Sequence, residues 1–255
     1  MQDASAQPRS EAHGNAAAFD AGVDNVFARI AGRYDRLCDV FSLGIHRLWK
    51  RRIAAKVAAN PGAIVFDAAS GTGDIPLRIG RLLARRADGA KSVSVTDICP
   101  EMLAIARRKL AGSTAISGID VHDAHDLKNV RSGSIDIYSI SFGMKICRRD
   151  RVIAEAFRVL KPGGTFYCLE AARITVAPLH ALYLKYMDWC LPTIARIATG
   201  GDDSAYNYLL KGVHEFPDQE TFARELRQAG FESVRFENLT LGIVAIHEGV
   251  KPLSA

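Results

Sequence analysis

The stretch Ala63-Ile64-Val65-Phe66-Asp67-Ala68-Ala69-Ser70-Gly71-Thr72-Gly73-Asp74 decides the fold. A short apolar run ends at an acid, a glycine-bearing loop follows, and an amphipathic helix carries Leu77, Ile79, Leu82 and Leu83. An apolar run bounded by turn residues reads as a buried strand, so the unit is strand, loop, helix. The unit recurs downstream. Ser92-Val93-Ser94-Val95-Thr96-Asp97 again ends at an acid, and Pro100 opens a helix with Met102, Leu103, Ala106 and Leu110 on one side. Ile135 to Ile140 is a further strand, Arg151 to Leu160 is helical, Lys161-Pro162-Gly163-Gly164 closes that helix, and Thr165 to Glu170 is the next strand. Such alternation predicts a parallel sheet with helices on both faces. Val234 to Thr240 and Gly242 to Glu248 are strand-like runs with almost no connection, which predicts an antiparallel hairpin.

At 255 residues the chain fits one domain of moderate size, or one domain with an appended lid, and 48% hydrophobic residues are enough to fill a core. Residues 1–22 carry no periodicity and read as a disordered lead-in, so the domain is expected over 23–255. Five cysteines, at 38, 99, 147, 168 and 190, form no C-x-x-C pair and read as reduced thiols of a cytoplasmic protein. No run of about 18 apolar residues is present to span a bilayer, and the polar N-terminus lacks the apolar segment of a secretory signal. A net charge of +5 fits an anionic membrane surface or an anionic ligand as well as nucleic acid.

The loop itself points to a ligand. Gly71 and Gly73 permit a tight turn and close backbone approach where an open α/β sheet binds nucleotides. A dinucleotide fingerprint wants a third small residue where Pro76 stands. Asp67 and Asp74 bracket the loop, would repel a pyrophosphate, and suit an ammonium-bearing amino acid. Asp97 is placed to accept both ribose hydroxyls, and Asp123-Ala124 to read adenine through a carboxylate and a backbone N–H. Amino acid, ribose and adenine together describe S-adenosyl-L-methionine.

With those residues quoted, the chain resembles the UbiE/MenG quinone C-methyltransferases over roughly residues 24–250. The resemblance is carried by the glycine loop, Ser42 to Arg51 with its Trp49, Leu160 to Gly164, Pro217-Asp218-Gln219 and Asn238-Leu239-Thr240. It implies a class I methyltransferase fold: a Rossmann-like, seven-stranded, mostly parallel sheet with a C-terminal antiparallel hairpin and a helical substrate lid at about 173–215. It also implies that Thr72, Asp97, Asp123, Ala124 and Ser141 line the cofactor site. The implied reaction is methylation of a ring carbon of a prenylated quinol in ubiquinone or menaquinone biosynthesis, either by a homodimer or within a quinone-biosynthesis complex. For activating the acceptor, the resemblance singles out Asp35 beside Tyr34, the segment from Phe142 to Ile146, and Tyr206 and Tyr208. The family's Arg-Asn is Lys145-Ile146 here, which keeps the charge, loses the planar fork and loses the amide. A diverged paralogue acting on another hydrophobic aromatic is therefore the second enzyme reading, and a non-catalytic subunit is the reading from another class.

Other features have two readings. His122 and His125 are three apart without a third ligand, so an adenine-binding loop is preferred and no metal is expected. His46 to Arg52 is either a solvated helix face or a basic patch with Trp49 that rests on anionic lipid at the inner membrane face. It carries too little aromatic content for nucleic acid. The apolar stretch over residues 178–198 is either core packing or the lid, and the lid is preferred, with Pro178 and Pro192 as punctuation.

Overall fold

The computed structural model describes residues 26–60, 62–84, 92–199 and 212–254; of Val26, Cys190, Leu191 and 193–199 only the backbone is described. The lead-in at 1–22 lies outside the described residues, as do Tyr206, Tyr208 and most of the lid's second half.

A seven-stranded sheet runs in the order β3-β2-β1-β4-β5-β7-β6. Its strands are β1 (Val65–Ala68), β2 (Val93–Asp97), β3 (Ile116–Val121), β4 (Ile135–Ser141), β5 (Leu160–Ala171), β6 (Glu232–Leu239) and β7 (Val244–Val250). The first five are parallel, and β7 is antiparallel to both β5 and β6. The expected hairpin is present, turned by the 3-10 residues Thr240–Gly242. The helices are α1 (Val26–Ile30), α2 (Tyr34–Ser42), α3 (His46–Val57), α4 (Asp74–Leu83), α5 (Pro100–Leu110), α6 (Arg149–Val159), α7 (Ala177–Thr199) and α8 (Gln219–Gln228).

The central strands are apolar on both faces because helices cover both. On one face Phe66, Tyr138 and Phe166 stand side by side on β1, β4 and β5, their rings stacked at 5.6 and 5.8 Å, under Val152 and Ile153 of α6 and Phe222 and Leu226 of α8. On the other face Val65, Ile137 and Leu169 pack with Ile53 and Val57 of α3, Ile79 of α4 and Leu103 of α5. A third cluster joins Phe27, Ile30 and Leu37 of the N-terminal helices to Cys99 and Met102 at the start of α5. That contact folds the N-terminal helices over the carboxyl ends of the strands.

Two expectations differ in detail. Lys161 to Gly164 belong to β5, because Gly163 N–H donates to Lys251 O at 2.8 Å and Lys251 N–H to Gly164 O at 2.9 Å. The chain beyond β7 thus extends the sheet to this segment, and a Cβ at Gly164 would meet Asp136 O at 3.1 Å. Pro192, expected as punctuation, sits inside α7, which follows β5 in the chain.

Candidate active site

β1 is flanked by β2 on one side and β4 on the other, so the chain reverses its progress across the sheet at this strand. Ligands of open α/β sheets bind outside the carboxyl ends of the strands at such a switch point. A cleft lies there, lined by Phe27, Tyr34, Gly71, Asp97, Met102, Asp123, Ala124, Gly143 and Ile146 among others.

Gly71 has φ +56°, and a Cβ there would meet nothing within 4 Å, so its open side faces the cleft. Gly73, at φ +79°, serves packing instead, since a Cβ would meet Ala106 Cβ at 3.0 Å on α5. Gly143 lets the loop after β4 approach the glycine loop, where a Cβ would come to 2.6 Å from Ala69. Asp97 ends β2. Gly71 N–H donates to its Oδ2 at 2.7 Å and Cys99 N–H to its Oδ1 at 2.9 Å, while burial raises its pKa above the usual carboxylate value. Asp67 is deeper. Ser70 Oγ donates to its Oδ2 at 2.7 Å, Oδ1 has no hydrogen-bond partner among the described residues, and burial pushes its pKa up to about 7.

The nominated residues divide into two groups. Gly71, Asp97, Asp123 and Ala124 come together on the cleft wall. Thr72, Gly73, Asp67 and Ser141 stand behind it. Thr72 is buried and donates to Asp35 Oδ1 at 2.6 Å, and Lys109 donates to both Asp35 and the Thr72 hydroxyl. Asp35 thereby fastens α2 to the glycine loop, turned away from the cleft. The Ser141 hydroxyl, at the end of β4, is buried without a hydrogen-bond partner among the described residues.

Lys145 is also turned away. Its ammonium donates to Phe142 O at 2.5 Å and to Glu170 Oε1 at 3.0 Å, and both side chains are buried. The pair holds the Phe142-Gly143 turn, in which Phe142 takes a left-handed φ of 58°. Ile146, next in sequence, does line the cleft.

The basic stretch is divided: His46 and Lys50 are buried, while Arg47, Leu48, Arg51 and Arg52 are exposed. Lys50 is 7% exposed and pairs with Asp74 at 2.8 Å, which draws the Asp74 carboxyl below the usual value despite its burial. Arg52 makes two bonds to Glu237, at 2.8 and 3.2 Å, and Trp49 Nε1 donates to Thr240 Oγ1 at 2.8 Å. A helix face engaged this way cannot present Lys50, Trp49 and Arg52 together to lipid. Gln219 Nε2 donates to Asn238 Oδ1 at 2.8 Å and to Arg173 O at 2.8 Å. The narrow signatures around Trp49, Gln219 and Asn238 are thus ties that bind α3 and α8 to the closing hairpin.

Sequence reasoning missed Phe27, Met102 and the cover formed by Tyr34. The shared face of Phe27, Ile30 and Tyr34 was the available signal, but periodicity does not say what a helix covers. The Tyr34 hydroxyl sits well above its ordinary pKa because of the neighbouring Cys38 thiol and burial. Among the described residues no three His, Cys, Asp or Glu side chains gather as a metal site, and no helix is long and apolar enough to cross a membrane.

The sequence pattern of the ubiE/COQ5 methyltransferase family matches residues 15–251. The chain belongs to that family. It is 46% identical over 231 residues to the ubiquinone/menaquinone biosynthesis C-methyltransferase UbiE of Acidiphilium cryptum, covering 89% of both chains. It is 39% identical over 243 residues to the mitochondrial 2-methoxy-6-polyprenyl-1,4-benzoquinol methylase of Schizosaccharomyces pombe, covering 90% of this chain and 79% of that one. Its fold resembles that of a SAM-dependent methyltransferase from Thermotoga maritima, with a TM-score of 0.61, 17% identity, and coverage of 89% and 98%. As a member of the ubiE/COQ5 family the chain is a methyltransferase, with S-adenosyl-L-methionine as cofactor. The residues present fit that molecule. The open face of Gly71 leaves room above the loop, and Asp97 and Asp123 offer carboxylates where hydroxyls and an amino group need acceptors.

Proposed function

We propose that this chain methylates a ring carbon of a prenylated benzoquinol or naphthoquinol, the reaction class named for its ubiquinone and menaquinone relatives. The supporting observation is a cleft with two characters: acids at Asp97 and Asp123, and an apolar wall of Phe27, Met102 and Ile146. When bound, the cofactor supplies an electrophilic sulfonium methyl. Asp97 accepts the ribose hydroxyls, Asp123 and Ala124 take the adenine edge, and Gly71 allows close approach of the backbone. Phe27 and Tyr34, carried by the N-terminal helices, cover the cleft and keep water from the reacting centre. Asp35, Thr72 and Lys145 hold the two loops that shape the cleft. Tyr206 and Tyr208 are the acceptor-side candidates that remain for moving the phenolic proton.

A substrate with a prenyl tail resides in a bilayer, so the proposal extends to peripheral contact at the inner membrane face. Trp189, 80% exposed, and Leu182, 63% exposed, lie seven residues apart on α7 and support that contact better than a basic stretch in which Lys50 is buried and Arg52 is paired with Glu237. The second reading, another hydrophobic aromatic acceptor, is favoured by Ile146 alone, which puts an apolar side chain on the cleft wall where the family pattern has an amide. Methyl-labelled cofactor mixed with demethylated benzoquinol and naphthoquinol tests both readings. Label in a quinol product supports the first. A chain that binds cofactor yet labels neither quinol refutes it.

A further inference from the structure

We infer that His125 is a positioning residue for the cofactor's adenine, fixing the carboxylate of Asp123 so that one oxygen is held and the other is left for the ligand. This rests on the role given to Asp123 above. His125 Nε2 accepts the backbone N–H of Arg148 at 3.0 Å. A ring nitrogen that accepts carries no proton, so the neutral imidazole has its hydrogen on Nδ1. Nδ1 lies 2.6 Å from Asp123 Oδ1 and donates to it. The backbone N–H of His125 donates to the same oxygen at 2.9 Å. Oδ1 therefore takes two donors from one residue, while Oδ2 has no partner among the described residues. The Asp123 side chain is 45% exposed on the cleft wall, against 14% for His125 behind it.

The clamp is anchored at both ends. Arg148 is the N-cap of α6, so the ring is fixed relative to a helix and not to a free loop. The loop carrying Asp123 is tied to the same helix, with Leu127 N–H donating to Glu155 Oε2 at 2.7 Å and Arg158 to Leu127 O at 2.9 Å. At its other end His122 N–H donates to Asp97 O at 3.2 Å, which links the adenine loop to the ribose-binding strand end. An unclamped carboxylate would rotate about its side-chain bonds and lose that freedom on binding; here the freedom is already removed. His125 touches neither reacting atom, so its effect belongs in cofactor affinity and in selectivity for the 6-amino group.

The test is calorimetric titration of the full chain with S-adenosyl-L-methionine and with its analogue bearing oxygen in place of the adenine amino group. One hydrogen bond to a charged group predicts a wild-type preference on the order of tenfold for the amino ligand. In His125→Ala the amino ligand should weaken by about tenfold and the analogue by less than about twofold, so that the preference collapses. The KM for cofactor should rise while kcat at saturation stays. His125→Gln keeps a side-chain donor and acceptor and should restore part of the preference, which also serves if the alanine variant does not fold. Equal weakening of both ligands, or a preference that survives in both variants, overturns the inference. A wild type that binds both ligands equally overturns the role of Asp123, and one that binds neither overturns the cofactor assignment itself.

Discussion

Replacing Lys145 with methionine separates a structural charge from a catalytic one. Lys145 is 9% exposed and Glu170 is wholly buried, with 3.0 Å between Nζ and Oε1. Breaking a buried pair from one side typically costs about 3–5 kcal/mol, because the remaining charge stays buried. Glu170 keeps two donors after the change, the backbone N–H of residue 145 at 3.1 Å and that of Ala171 at 2.8 Å. The loss should therefore fall at the low end, about 3 kcal/mol. For a domain of this size that is a fall in Tm of about 6–12 °C. Adding Glu170→Gln removes the stranded charge and should return the double variant to within about 1 kcal/mol of the wild type. Urea unfolding of the four proteins of the cycle measures this, and turnover is then compared at a temperature where all four are folded. Lys145→Met within about 0.5 kcal/mol of wild type would refute the buried-pair reasoning. Abolished turnover in a folded, cofactor-bound variant would return the ammonium to the acceptor ring.

Further expectations concern the site and its pH dependence. Asp97→Asn should weaken cofactor binding by about 2 kcal/mol in calorimetry, since a charged acceptor of two hydroxyls is lost; unchanged affinity refutes the ribose assignment. Asp67 has a folded pKa raised to about 7 against 3.8, so the fold holds a proton that the unfolded chain has released between those values. Stability of the cofactor-free protein should thus fall as pH rises from 4 to 7, and Asp67→Asn should flatten that limb of a thermal-melt series. His247 has the opposite sign. Burial lowers its pKa to about 4, so its contribution is present above pH 6.5 and is lost as pH falls toward 4. In vesicle sedimentation, Leu182→Ser with Trp189→Ser should reduce binding more than Arg51→Ala; the reverse order would return the contact to the basic stretch.

The repeating part of the fold was legible because strands and helices carry local periods, and Asp67 and Asp97 mark strand ends where the chain itself changes direction. The expected site residues that come together on the cleft wall, Gly71, Asp97, Asp123 and Ala124, all sit at or just beyond such ends. What escaped depends on contacts between distant positions. Lys145 and Glu170 are 25 residues apart, Arg52 and Glu237 are 185 apart, and Trp49 and Thr240 are 191 apart. A charge run on a helix looks the same whether lipid, water or a distant glutamate faces it. Lys145 showed the same ambiguity, since a lysine after a strand end reads as a site residue until its partner is known.

The ties from Trp49 to Thr240 and from Gln219 to Asn238 have a consequence for how likeness is interpreted. They brace the frame on which the cleft is built, and none of the four lines the cleft itself. Two chains can share these braces residue for residue and still differ in the molecule they modify. In this chain the braces stand as the pattern requires, while Ile146 stands where the pattern has an amide. The braces carry the lineage, whereas residue 146 is met by whatever enters the cleft.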